Sequence, residues 1–272
     1  MQMLTKIFIV FSLLCSVAYG ANDFSGDANC VALWKLDNGV LTVDSIGSNT
    51  LTNSSMDSDA VTYKEGDGSA YANALGDSLY IINASSDLPF DSDKSTPSLS
   101  VCCWVRCIGF PSSGQRTILA KWDTGERTFQ LDFYKSGTWQ ISWWLGYNAG
   151  DDYEGPTLHG TTVAANTWYH IGFTYNDSTK GWKLRIWDDT AGALLGGAEA
   201  TGTTTNNMYC GSANFQIGTN QIGSVCASGQ RDEVVIFDDI LTSAEIDQIR
   251  AGTYGGGAPP ATAGQVIMIE EL

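Results

Sequence analysis

The chain is predicted to be all-β, an antiparallel β-sandwich of the jelly-roll kind with one short helix near residues 242–250. Three observations predict it. Apolar residues recur at every second position, as in Leu99, Val101, Cys103 and Val105, or Trp139, Ile141, Trp143 and Leu145. Gly, Asn, Asp and Ser bound these runs, with 30 glycines and only 6 prolines in 272 residues. Helical spacing of apolar residues is confined to one segment near the C-terminus. A period of two puts successive side chains on opposite faces of a strand and marks half-buried antiparallel strands. Many such strands bury their apolar faces most simply by stacking as two sheets.

The first element is a leader. Lys6 supplies a positive charge, Ile7 to Val17 is a short apolar core, and Ala18-Tyr19-Gly20 puts small residues where a signal peptidase cuts. The apolar run, about 11 residues, falls short of the roughly 20 that a membrane-spanning helix needs. A secreted protein with a signal peptide at 1–20 and no membrane span is therefore expected. Residues 21–254 then form one domain, and 255–272 a Gly/Pro linker and tail. Fourteen basic residues against 30 acidic ones give a net charge of −16. Such a surface repels nucleic acid and anionic lipid and offers carboxylates to divalent cations.

Beyond the leader the cysteines are Cys30, Cys102, Cys103, Cys107, Cys210 and Cys226. An even number in a secreted chain suggests disulfides of open pairing. Cys102 and Cys103 point to opposite faces of any strand and need different partners, and Cys210 with Cys226 is the first candidate pair. Asn53, Asn83 and Asn176 stand in glycosylation sequons.

The strand signals continue with Phe129, Leu131 and Phe133, then Tyr169, Ile171, Phe173 and Tyr175, then Trp182, Leu184 and Ile186. Thr242-Ser243-Ala244-Glu245 fits a helix capping box, with Leu241, Ile246 and Ile249 as the apolar stripe. Three glycines and Ala258-Pro259-Pro260 read as a linker. The apolar stretch Val266 to Ile269 either adds as a strand to a sheet edge or stays disordered.

The order of these segments resembles the laminin-G-like branch of the concanavalin A-like lectin/glucanase superfamily. Carrying the resemblance are Ala32-Leu33-Trp34-Lys35-Leu36-Asp37 with Asp44-Ser45-Ile46-Gly47-Ser48-Asn49, then Leu99 to Arg106, and Ile118 to Lys121. Ala165 to Ile171 with its Trp168 and His170, Lys183 to Asp188, and Gln216-Ile217-Gly218 follow in order. The most specific match is Arg231 to Phe237 followed by Leu241 to Ile246. The resemblance implies a sandwich fold, and it implies calcium tying the first strand to the last, held here by Asp37, Asp44 and Asp232 with Asn49 or carbonyls near Gly47. The competing expectation is an Asx turn at Asp44.

Catalysis is not expected. Retaining glycosidases need two carboxylates on one face, about 5–5.5 Å apart. The nearest string, Glu245-Ile246-Asp247-Gln248-Ile249-Arg250, has Arg250 where the second acid belongs. His159 and His170 are the only histidines, and no nucleophile elbow or phosphate loop is present. His170 reads as structural, while His159 belongs to an exposed loop, Gly155 to Gly160, open to a binding role. Asp151, Asp152 and Glu154 form an acidic loop that is either solvated or holds a ligand-side calcium. Nine tryptophans and 11 tyrosines exceed what one core needs. Because Trp143 and Trp144 are adjacent, one of them leaves the core. Trp144, Tyr147, Tyr153 and Trp187, with Asp151 and Asp152, are the expected ligand-binding residues, since flat rings stack on sugar faces. The expected function is a secreted, non-catalytic module binding glycan or glycoprotein for adhesion, with calcium support. Self-assembly through the C-terminal tail is the alternative, and a divergent glycan-active enzyme the third.

Overall fold

The computed structural model describes residues 22–256 except 96, 113 and 221–227. The leader, the tail with Val266 to Ile269, and Cys226 lie outside the described residues. The strands in chain order are β1 (Cys30–Trp34), β2 (Thr52–Ser54), β3 (Asp57–Asp59), β4 (Ser69–Ala72), β5 (Ser78–Ile81), β6 (Ser98–Cys107), β7 (Gln115–Lys121) and β8 (Phe129–Ser136). They continue with β9 (Thr138–Tyr147), β10 (Asp152–Leu158), β11 (Trp168–Asn176), β12 (Gly181–Asp188), β13 (Ala193–Leu194), β14 (Ala200–Thr203), β15 (Phe215–Ile217) and β16 (Gly229–Phe237).

One sheet runs β13-β12-β11-β6-β16-β4-β3, with β1 added on β16 and β14 on β12. The other, of seven strands, runs β10-β9-β8-β7-β15-β5-β2. The strand pairs are antiparallel. This is the two-layer sandwich that the alternation predicts. Leu99, Val101, Cys103 and Val105 of β6 and Ile171 and Phe173 of β11 meet Leu131, Phe133, Ile141 and Trp143 of β8 and β9 between the sheets. Each large side chain buried there contributes about 1.5–3 kcal/mol.

The odd-numbered residues of β6 face this core, so Cys102 faces outward. There it joins Cys30, Leu33 and Val235 in a second cluster with Leu241, Ile246 and Ile249. The latter two project from α1 (Ser243–Arg250), which lies on the outer face of the larger sheet. Thr242 caps the helix: its hydroxyl accepts from the Glu245 amide at 3.2 Å, and the Glu245 carboxylate accepts from the Thr242 amide at 2.7 Å. Arg185 grips Asp247 with two bonds, 3.0 and 2.7 Å. Gly172 gives Ile246 room to approach β11, for a Cβ there would lie 2.4 Å from the Ile246 methyl. Cys30, Cys102, Cys103 and Cys210 are buried and form no disulfide with one another, while the expected pair of Cys210 with Cys226 falls partly outside the described residues. Burial pushes Cys30 and Cys103 up to about 12.

The two ends of the described chain meet. The Asp23 amide donates to the Tyr254 carbonyl at 2.8 Å, and Asn22 bonds Ile249 and Tyr254 at 2.8 and 2.9 Å. The Phe24 and Tyr254 rings stack at 5.3 Å. Among the described residues no helix is long and apolar enough to cross a membrane.

Candidate functional site

The candidate site lies on the outer face of the seven-stranded sheet, where strand parity leaves every second residue out of the core. Cross-strand register aligns Tyr80, Gln216, Ala120, Gln130 and Trp144 in one row across β5, β15, β7, β8 and β9. The neighbouring row holds Thr117, Asp132 and Ser142. Asp132 is fully buried. Its Oδ2 accepts from the Trp144 indole nitrogen at 2.8 Å and from Gln130 Nε2 at 3.0 Å, and its Oδ1 accepts from the Ser142 hydroxyl. Loss of water pushes the Asp132 carboxyl up to about 7, and these three donors pull the other way.

Trp144 heads an aromatic cluster. Its ring meets Tyr153 edge-on at 5.4 Å and Trp122 at 6.4 Å, and Trp122 meets Tyr153 at 5.9 Å. Tyr134 braces the far side of Trp144 at 5.6 Å. Exposure rises outward from buried Trp122 through half-buried Trp144 to Tyr153, which is 49 % exposed. The Arg127 guanidinium lies over Tyr153 at 5.3 Å. The result is a rigid ring surface whose central member cannot rotate without breaking its bond to Asp132.

Of the residues singled out in the sequence, Trp144 and Tyr153 come together here. Asp151 and Asp152 sit beside them, exposed, where β9 turns into β10, and Asp152 accepts from Asn148 at 2.8 Å. Tyr147 has the opposite parity and packs against the core. Trp187 is on β12 of the other sheet, with the Arg250 guanidinium 3.8 Å above its ring. The expected loop over residues 151–160 is instead largely the edge strand β10. Its pairing shifts register between Glu154 and Thr157, around Gly155-Pro156, and an edge strand tolerates a proline's missing N–H. Glu154 is spent on the amides of Thr205 and Asn206. His159 is half-buried, not exposed, and burial lowers its pKa. His170 is buried against Trp104 and held down at about 3.

Of the three expected calcium ligands, Asp37 and Asp232 lie near each other, and Asp44 is engaged by backbone amides. Asp44 forms the Asx turn: Oδ1 accepts from the Leu33, Ile46 and Gly47 amides, each at 3.0 Å, and Oδ2 from that of Asn49 at 2.9 Å. Asp232 lies elsewhere, where its Oδ2 accepts from the Lys64 and Glu65 amides at 2.6 and 3.1 Å. Its Oδ1 is buried without a partner. Around it are Glu65, Glu233 and Asp37, and burial together with mutual repulsion pushes Asp232 up to about 8 and Glu233 to about 9. Among the described residues no group of three or more Asp, Glu, His or Cys is arranged to hold a metal ion.

The string Glu245 to Arg250 is helical, with Glu245 in the cap and Asp247 paired to Arg185. Sequence reasoning missed Trp122, Gln130, Asp132, Gln216 and Asn220. Gln130 and Asp132 were visible as the polar positions of an alternating strand, but their partners come from strands remote in sequence.

Two antiparallel sheets stacked as a sandwich are consistent with a jelly roll of the concanavalin A-like class. Residues 79–247 match the laminin G-like family of the concanavalin A-like lectin/glucanases superfamily, and the chain belongs to that family. No curated protein sequence matches it. Similar solved structures include domain 4 of AbnA, a GH43 extracellular arabinanase from Geobacillus stearothermophilus, in complex with arabinotriose. It is 17 % identical with a TM-score of 0.57, over 81 % of this chain and 98 % of that one. The binding domain of Paraclostridial mosquitocidal protein 1 is 12 % identical, TM-score 0.59, over 81 % and 51 %. Trypanosoma rangeli sialidase with the inhibitor DANA is 15 % identical, TM-score 0.52, over 82 % of this chain but only 32 % of the sialidase. At these identities the likeness is one of fold.

Proposed function

We propose that this protein is a secreted, non-catalytic module that binds neutral carbohydrate, free or on a glycoprotein, through the outer face of its seven-stranded sheet. One observation carries the reading: the half-buried Trp144 ring is locked by Asp132 and flanked by the exposed Tyr153 ring. Aromatic faces stack on the apolar faces of sugars, and nearby amides and carboxylates orient the hydroxyls. A net charge of −16 disfavours anionic sugars. The arabinanase domain that holds arabinotriose lends support through its shared fold. Asp132 acts as a positioning group, because both of its oxygens are engaged by donors and glycoside hydrolysis needs a second carboxylate facing the first.

We extend the proposal to calcium at one place. A cation entering the Asp37, Glu65, Asp232 and Glu233 cluster would take the unpartnered Asp232 Oδ1 first, after side-chain rotation, and would stiffen the contact between the 64–65 turn and β16.

The test is an array of neutral and acidic oligosaccharides, screened in calcium and in chelator, followed by Trp144→Ala and Tyr153→Ala on the best ligand. Neutral hits weakened at least tenfold by each variant are expected. A hit unaffected by both overturns the assignment of this face.

A further inference from the structure

The same face carries a second, polar pocket beyond the aromatic cluster. A cavity of about 360 Å³ opens over β2, β5 and β15, lined by Ser54, Ser78, Tyr80, Ile82, Gln216 and Asn220 among others. Gln216 is 8 % and Asn220 5 % exposed, yet Gln216 Oε1 and Asn220 Oδ1 have no hydrogen-bond partner. A buried acceptor left unpaired is costly, and two in one cavity mark a place where donors are meant to arrive.

The orientation of the Asn220 oxygen is not arbitrary. Gln130 Nε2 donates to Asp132 at 3.0 Å, so its Oε1 faces away, and there it accepts from Asn220 Nδ2 at 3.0 Å. Asn220 thereby spends its donor side inward and presents Oδ1. Between Gln216 and Gln130 the row holds Ala120, whose methyl leaves the space that Asn220 spans. By accepting from Gln130 Nε2, Asp132 sets the direction of the Gln130 and Asn220 amides.

We propose that this pocket is a second carbohydrate subsite, in which Gln216 Oε1 and Asn220 Oδ1 accept from two sugar hydroxyls, with Asp132 as the positioning residue that fixes the acceptor character of Asn220. The proposal rests on the carbohydrate-binding reading above and narrows it. From β15 to Trp144 on β9 is three strand spacings, about 14 Å. The ligand is then an extended neutral oligosaccharide, gripped in the pocket at one end and stacked on Trp144 and Tyr153 at the other, rather than a single terminal sugar.

The experiment is calorimetry of the full chain with neutral arabino-, xylo-, cello-, manno- and galacto-oligosaccharides, each as the disaccharide and the hexasaccharide. The wild type is expected to bind one hexasaccharide at least tenfold more tightly than its disaccharide. Gln216→Met and Asn220→Leu, folded by circular dichroism, are expected to erase most of that advantage and leave the disaccharide within twofold. Trp144→Ala weakens both. Asp132→Asn is expected to lose the advantage too, because an asparagine can donate to Gln130 and let the amides reverse. Adding Gln130→Glu, which can only accept, restores it. An unchanged hexasaccharide advantage in the two pocket variants overturns the second subsite and leaves the aromatic reading standing. Binding of none of these sugars by the wild type overturns both. Loss in Asp132→Asn without rescue by Gln130→Glu overturns the positioning role.

Discussion

The Trp144 indole N–H donates to Asp132 Oδ2 at 2.8 Å, and this bond joins the aromatic part of the outer face to its polar part. Trp144→Phe keeps a ring but leaves the buried carboxylate one donor short, which costs about 1–3 kcal/mol. A lower Tm with sugar binding kept within a few-fold is expected, read by thermal melts and calorimetry. Trp144→Ala, by contrast, is expected to lose both.

Acid cluster and pH are coupled through Asp232 and Glu233. Burial holds their carboxyls at about 8 and about 9, above the ordinary 3.8 and 4.5, so the folded state keeps protons that the unfolded chain releases. The stability they contribute is complete below the ordinary values and is lost as pH rises through the folded ones. In chelator, Tm is expected to fall between about pH 5 and pH 9, and Asp232→Asn to flatten that slope. Calcium, taking the place of the protons, is expected to raise Tm more at the alkaline end. A Tm that climbs with pH in chelator, equally in the wild type and Asp232→Asn, contradicts this account.

Lys121 is wholly buried with Asp91, their charged atoms 3.3 Å apart, and its ammonium also donates to Asn83 Oδ1 at 2.6 Å and the Ala213 carbonyl at 2.7 Å. Removing one partner strands the other, so Lys121→Met or Asp91→Leu alone is expected to cost about 3–5 kcal/mol. The double variant is expected to recover much of the loss in a denaturant titration.

At Gly172 the helix leaves no space for a side chain. Gly172→Ala places a methyl against Ile246 and is expected to cost about 1–3 kcal/mol through displacement of α1. Pairing it with Ile246→Val, which withdraws a methylene, is expected to restore part of the stability in the same melts.

Much of the sandwich was legible in the sequence because its long strands alternate. Leu99 to Val105 and Trp139 to Leu145 announce both their strand state and their buried face, and Thr242 with Glu245 announces the start of α1. The site was less legible. Trp144 shows only that it leaves the core. That it stands in one row with Gln130, Gln216 and Tyr80 depends on pairings among strands far apart in sequence, which local patterns do not record. Trp187 and Tyr147 carried the same aromatic signal, but register put one on the other sheet and turned the second inward. Gly155-Pro156 reads as a loop, and only an edge position made it a strand.

The bond between Asp23 and Tyr254 has a topological consequence. With the two ends clasped at one point, the folded unit is a closed loop of chain, suited to hang from a single stem or to be spliced into a surface turn of another protein. A circular permutant joining these ends through a short glycine bridge, and opened at the Ser136-Gly137 hairpin, should fold.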